Sequence, residues 1–379
     1  MHRIVAEVQA HSPALVFVDS FRSVALASET EGGSNSNLQH FVQQLGVLMT
    51  SWQATTFLIG EYFTENDANP VFTVADGLIW LRQSVQGNSM VRKMEIMKMR
   101  GQATLPGLHT FRIGPAGIMV FAPARVAAEP HVNEIPALPG ARLLLGVPHL
   151  DEMLGGGLPR GHSLLVAGPS GSGKSILATA FLAEGARCGE TGVIAFFEQR
   201  PHRSREGVIR DLIATGCVSE VDTQAADLSI DEIVFQLLDQ IRRHKATRVV
   251  IDSLSGFELV LAPTFRQDFK ESLLRMVAAL ERTGVTVLMT SELEDRYTDL
   301  RFSPYGTAFL TDAIIVQRYI EIGSRLRRVM AVVKVRGSQH SNELREYTID
   351  DDGLRIGEML EDEEGLLGGR PTHRRETGR

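Results

Sequence analysis

The 379-residue sequence has no run of apolar residues approaching the roughly 18 that a membrane-spanning helix needs. Its first residues carry charge at Arg3 and Glu7 and no long apolar stretch, so no secretory leader is recognised and a cytoplasmic protein is expected. Cysteine is scarce. Cys188 and Cys217 are the only two, which excludes a disulfide framework and a four-cysteine zinc module. Both lie in or beside apolar helical patterns and are expected as buried thiols. Eleven histidines are present, and none has metal-ligand spacing. A basic excess is also missing: 39 Lys and Arg against 46 Asp and Glu give a net charge of −7, contrary to a dedicated nucleic-acid binder. The rest of the composition is that of a globular chain with core enough for two or three domains.

What the chain does contain is one complete phosphate-binding loop. Gly168-Pro169-Ser170-Gly171-Ser172-Gly173-Lys174-Ser175 fits the pattern G-x-x-x-x-G-K-[ST]. The glycines let successive backbone N–H groups curl around a phosphate, Lys174 reaches the terminal phosphates, and the Ser175 hydroxyl can ligate Mg²⁺. The stretch 163–167 reads as a buried strand before the loop, and Ile176 to Arg187 as an Ala- and Leu-rich helix after it. The helix N-terminus then faces the anion. A glycine-rich turn without function does not account for strand, loop, Lys-Ser and helix in that order.

Around the loop, strands and helices alternate, which predicts an α/β fold with a parallel sheet. Residues 193–197 read as a strand ending in Glu198-Gln199. A helix is predicted around Ser229 to Lys245, then the strand 248–251, with Asp252 at its carboxyl end. An acidic residue there, downstream of a phosphate loop, is the Walker B arrangement, which orders Mg²⁺ normally through water. Glu198, after the second strand, is the candidate base that orients water. Phe269, Leu273, Met276, Val277 and Leu280 place one packed face on a helix from Phe265 to Glu281.

The downstream part of this pattern occurs twice. Val18-Asp19-Ser20 parallels Ile251-Asp252-Ser253 (252 − 19 = 233), Asp76 parallels Asp312 (312 − 76 = 236), and Lys98-Met99-Arg100-Gly101 parallels Lys334-Val335-Arg336-Gly337 (334 − 98 = 236). Three matches in order at a nearly constant offset imply two tandem domains of one fold. Lys174 precedes Asp252 by 78 residues, so its counterpart would fall before residue 1. The first domain, 1–121, is therefore expected to be incomplete and to lack a phosphate loop. Between a natural truncation and a start codon assigned too far downstream, the second is favoured, because Asp19, Lys98 and Arg100 persist with nothing local to serve. A Pro- and Ala-rich linker spans 122–142, a complete domain 143–360, and an acidic-then-basic tail expected to be disordered 361–379.

The run Leu150 to Leu158 with its three glycines, the phosphate loop, Glu198, Asp252 and Lys334-Val335-Arg336-Gly337-Ser338 resemble the KaiC group of RecA-like ATPases. The resemblance covers nearly the whole chain. It implies a RecA-like fold, ATP and Mg²⁺ as ligands, and assembly into a homo-hexameric ring with ATP between subunits. It also implies that Lys334 and Arg336, which alternate on one strand face, reach the neighbour's γ-phosphate. Two departures stand out. The group's paired glutamates read Glu198-Gln199 here, and the adjacent Ser-Thr pair that some members autophosphorylate reads Ala308-Phe309, with Thr307 displaced. ATP hydrolysis with a signalling or regulatory output is the leading expectation, with signalling proteins as further partners; Ser/Thr autokinase activity is a lesser expectation, weakened by the missing Ser-Thr pair, and no circadian role is inferred. The alternatives are a nucleotide-occupancy switch with little hydrolysis and a recombination ATPase of the RecA or RadA type. The acidic charge argues against DNA as a partner.

Overall fold

A computed structural model describes residues 2–21, 35–61, 70–86, 89–123, 141–197, 207–223, 227–266, 269–293, 310–322, 324–360, 363–364 and 372–373. The chain divides into two compact units, residues 1–82 with 94–108, and residues 83–93 with 109–379.

The first unit contains α1 (His2–His11), β1 (Leu15–Asp19), α2 (Asn35–Ser51), β2 (Thr55–Ile59) and α3 (Pro70–Val74). The strands β3 (Gly77–Gln86) and β4 (Ser89–Met99) contribute residues to both units. β1 and β2 pair in parallel with Leu15 opposite Thr55. Alternate side chains leave opposite faces of such a pair. Val16, Val18 and Leu58 pack on the core of Val42, Leu45 and Met49 from α2. The other face is bare: Leu15, Phe17, Phe57 and Ile59 are exposed, and the Phe17 and Phe57 rings stack at 4.9 Å.

After residues 83–93, the second unit resumes with the antiparallel hairpin β5 (His109–Gly114) and β6 (Gly117–Phe121). It continues through β7 (Arg142–Leu143), α4 (Pro148–Met153), β8 (Leu158–Pro159), β9 (Ser163–Gly168), α5 (Lys174–Arg187), β10 (Gly192–Phe196), α6 (Val208–Ala214) and β11 (Val218–Val221). Then follow α7 (Ile230–His244), β12 (Arg248–Asp252), α8 (Leu254–Val260), α9 (Pro263–Arg266), α10 (Phe269–Glu281), β13 (Thr286–Glu292), β14 (Ala313–Ile322), β15 (Arg325–Val335), β16 (Leu344–Asp350) and β17 (Gly353–Met359). Nine strands make one sheet in the order β11-β10-β12-β13-β9-β14-β15-β16-β17. The first six run parallel, and β15 to β17 extend the sheet antiparallel.

Both faces of the parallel part are covered, which explains its unbroken apolar runs. Val249, Ile251, Val287 and Met289 pack on α7 and α10, while Val250, Leu288, Leu164 and Val166 pack on Leu177 and Phe181 of α5. α7 starts where Ser229 accepts the Glu232 N–H and Asp231 and Glu232 meet the dipole, and it ends with Arg242, Arg243 and His244. Of the helix expected from Phe265 to Glu281, Phe265 and Arg266 lie in α9 and Phe269–Glu281 form α10, and residues 267 and 268 lie outside the described residues.

The internal repeat is visible in the strands themselves. A shift of 236 residues carries both bounds of β3 (77 to 313, 86 to 322) and of β4 (89 to 325, 99 to 335) onto β14 and β15. The bare face of β1 and β2 is the one that α5 covers in the second unit, since Phe17 and Phe57 correspond to Val250 and Leu288. The cysteines are not the buried pair expected: Cys188 is exposed at the C-terminus of α5, where the helix runs out into solvent, and Cys217 is half-buried just before β11.

Candidate nucleotide site

β9 is fully buried and delivers its carboxyl end straight into the phosphate loop, after which α5 begins at Lys174. Two glycines are required here by geometry. Gly173 sits at φ +96°, and a Cβ on it would lie 2.6 Å from Ile349 Cδ1. A Cβ on Gly168 would lie 2.8 Å from Gln317 Cβ. No side chain caps the N-terminus of α5, so its first N–H groups and its dipole are left for an anion.

The loop rests on the antiparallel extension. Buried Ser172 donates to Gln317 Oε1 at 2.9 Å, and its carbonyl accepts the Tyr347 hydroxyl at 2.6 Å. Burial raises the Tyr347 pKa, keeping that hydroxyl protonated as a donor. Lys174 Nζ donates to the carbonyls of Gly168 (2.8 Å) and Pro169 (2.7 Å), over the loop it serves, while Ser170 and Ser175 are exposed. Behind the loop, α5 is pinned by Arg248, only 2% exposed, whose guanidinium donates to Phe181 O, Leu144 O and Glu190 Oε2.

Asp252 ends β12, two strands from β9 and so about 10 Å across the sheet. It is 3% exposed, and the Thr290 hydroxyl donates to its Oδ1. Ser175 and Asp252 offer hard oxygen donors of the kind Mg²⁺ takes alongside phosphate oxygens and water. Among the described residues no group of three or more His, Cys, Asp or Glu forms a cage. The chain after β10 is described as far as Phe197, whose N–H bonds Asp252 O at 2.7 Å. Glu198 and Gln199 lie outside the described residues, as do Thr307, Ala308 and Phe309.

Lys334 and Arg336 are at the other end of the sheet. Lys334 Nζ donates to Thr311 O at 2.5 Å; Arg336 N–H bonds Asp312 O at 2.7 Å and its Nη1 meets Asp312 Oδ1 at 3.2 Å. Burial, then the Arg336 charge, lowers the Lys334 pKa. Asp312 is tied to Ser163, the first residue of β9. Five residue steps separate Ser163 from Gly168, about 17 Å along the strand. The two sets of expected site residues therefore lie at opposite ends of β9: residues 168–175 with Asp252 at one, Lys334 and Arg336 at the other. Thr290, Gln317 and Tyr347 were not anticipated, since each meets the site through strand neighbours distant in sequence.

A parallel-dominated α/β sheet with a phosphate loop after one strand and a buried aspartate after another defines a phosphate-loop ATPase of the RecA-like kind. Comparison makes this specific. The model of the KaiC ATPase family matches residues 1–125 and 144–361, and the chain belongs to that family. It is 26% identical over 382 residues to the circadian clock protein KaiC3 of Synechocystis, covering 98% of this chain and 73% of that protein. It is 25% identical over 378 residues to the circadian clock oscillator protein KaiC of Picosynechococcus, covering 98% and 72%. Among the described residues, no helix is long and apolar enough to cross a membrane.

Proposed function

We propose that this chain binds Mg·ATP on residues 168–175 and hydrolyses it at the boundary between subunits of a homo-hexameric ring, with regulatory output. The domain division read from the sequence, 1–121, 122–142, 143–360 and 361–379, belongs to the same proposal. The observation that carries it is the placement of the phosphate loop and the Lys334–Arg336 pair at opposite ends of β9, too far apart for one subunit to bring both to one nucleotide.

Lys174 leaves its loop carbonyls and neutralises the β- and γ-phosphates, whose oxygens take the N–H groups at the start of α5. Ser175 would hold Mg²⁺ directly and Asp252 through water, and the ion would supply charge neutralisation to the phosphates. Glu198 orients the attacking water and accepts its proton as the water oxygen bonds to the γ-phosphorus and the bond to the β–γ bridging oxygen breaks, releasing ADP. Arg336 and Lys334 of the neighbouring subunit stabilise the charge that develops on the γ-phosphoryl oxygens, a contribution on the order of 10³-fold or more in rate. Phosphoryl transfer to the protein itself is not proposed, because Ala308-Phe309 carries no hydroxyl.

Turnover of the wild type is expected to exceed that of Lys174→Ala by orders of magnitude and to fall sharply in Glu198→Gln. Wild-type turnover no higher than Lys174→Ala would sink the enzyme reading. One observation, Gln199 in place of a second carboxylate, favours a second reading, in which ATP occupancy without appreciable hydrolysis switches assembly. Tight nucleotide binding together with that absence of turnover selects it.

A further inference from the structure

Arg336 is 60% exposed, and an exposed arginine samples many rotamers. Here it is held at two points by one residue, through its backbone N–H on Asp312 O and its Nη1 on Asp312 Oδ1. The second carboxylate oxygen of Asp312 accepts from the Ser163 N–H at 3.1 Å and the Ser163 hydroxyl at 3.2 Å, which anchors Asp312 to the foot of β9. Among the described residues, Nε and Nη2 of Arg336 donate to nothing. The guanidinium is thus fixed by one edge while most of its fork remains available.

The first unit contains the same device. Arg100 N–H bonds Asp76 O at 2.8 Å, and Arg100 Nη1 meets Asp76 Oδ1 at 3.1 Å, against 2.7 and 3.2 Å in the second unit. Lys98 Nζ donates to Ala75 O at 2.6 Å as Lys334 does to Thr311 O. The Arg100–Asp76 pair is highly exposed on both sides, 61% and 77%. Exposed ion pairs contribute little to stability and cost side-chain entropy. In the second pair Arg336 is as exposed but Asp312 is only 14% exposed; the same atoms meeting in both units, including the one where exposure leaves the pair little stabilising value, point to orientation of the arginine as its role.

We propose that Asp312 is the positioning residue for the trans-acting cation, holding Arg336 at the Ser163 end of β9 so that its free edge meets the neighbour's nucleotide. This rests on the reading that Arg336 acts across the subunit boundary. Orienting a charged group in advance is worth a large share of its catalytic effect. Asp312→Asn, which keeps an acceptor for Ser163 but removes the charge, should lower kcat about tenfold or more. Its KM for ATP should stay within about twofold, because the binding loop belongs to the other subunit. In an Arg336→Ala background the same change should cost nothing further.

If Arg336→Ala loses turnover while Asp312→Asn keeps wild-type kcat, the positioning role is wrong and the trans reading stands. An additive loss in the double variant also overturns it, since that marks a structural role. Wild-type turnover in Arg336→Ala sinks the trans reading and this proposal together. In a chain that binds ATP without turnover, ATP-dependent hexamer formation replaces kcat as the readout. There Asp312→Asn must weaken association as Arg336→Ala does, and an unaffected hexamer refutes the proposal.

Discussion

Two chains that are each inactive should restore activity when mixed. Lys174→Ala removes the cation at the carboxyl end of β9, and Arg336→Ala removes the one held at its amino end, about 17 Å away by strand rise. An arginine side chain cannot span that distance, so a complete site takes its loop from one subunit and its Arg336 from the next. In a head-to-tail ring assembled at random from equal amounts of the two variants, half of the boundaries carry an intact loop and half an intact arginine. About a quarter carry both, and the mixture should approach a quarter of wild-type turnover. Phosphate release, measured after the two chains are mixed without nucleotide and reassembled with ATP and Mg²⁺, reads the fraction. A control mixture of the double variant with Lys174→Ala should stay silent. Were the mixture no more active than the mean of its two components, the site would be complete within one chain and the reasoning from β9 would fail.

Gly173→Ala should destabilise the second unit by about 1–3 kcal/mol and weaken ATP binding, because φ +96° and the Ile349 contact both oppose a Cβ; denaturant melts with and without ATP check both effects. Tyr347→Phe strips the donor from the Ser172 carbonyl, for a loss of about 1 kcal/mol in unfolding free energy and a raised KM for ATP. Burial raises the Asp151 carboxyl from 3.8 to about 6, against backbone N–H groups that include Leu145. The folded state thus binds this proton more tightly than the unfolded chain does. Its contribution is most favourable below about pH 4 and falls by up to about 3 kcal/mol as pH rises through about 6, a slope that Asp151→Asn should abolish in melts across that range.

The phosphate loop was legible because its chemistry demands a contiguous backbone: eight consecutive residues, a buried strand before them and a helix after. α5 and α7 appear within two residues of where the sequence pattern places them. The repeat was legible because Asp76, Lys98 and Arg100 recur in order, and the strand bounds of β3 and β4 then follow. What sequence did not show is what the topology brings to the loop. Thr290 reaches Asp252 across 38 residues, Gln317 reaches Ser172 across 145, and Tyr347 reaches it across 175. The first exists because β13 lies beside β12, and the other two because β14 lies beside β9 and the antiparallel strands extend the sheet past it; no local pattern encodes which strands become neighbours. The exposed Cys188 has a similar origin: apolar periodicity identifies a helix, but it cannot say that its last turn faces water.

The stacked rings of Phe17 and Phe57, flanked by Leu15 and Ile59, also bear on laboratory handling. As an oily strip on a two-stranded ribbon they invite self-association at the concentrations used for purification. Replacing both phenylalanines by threonine keeps strand propensity while wetting the strip. It leaves untouched Val16, Val18 and Leu58, which hold the opposite side of the ribbon to Val42 and Leu45. Such a variant should remain dispersed in buffer without detergent, giving cleaner material for every assay that depends on distinguishing an ordered ring from a precipitate.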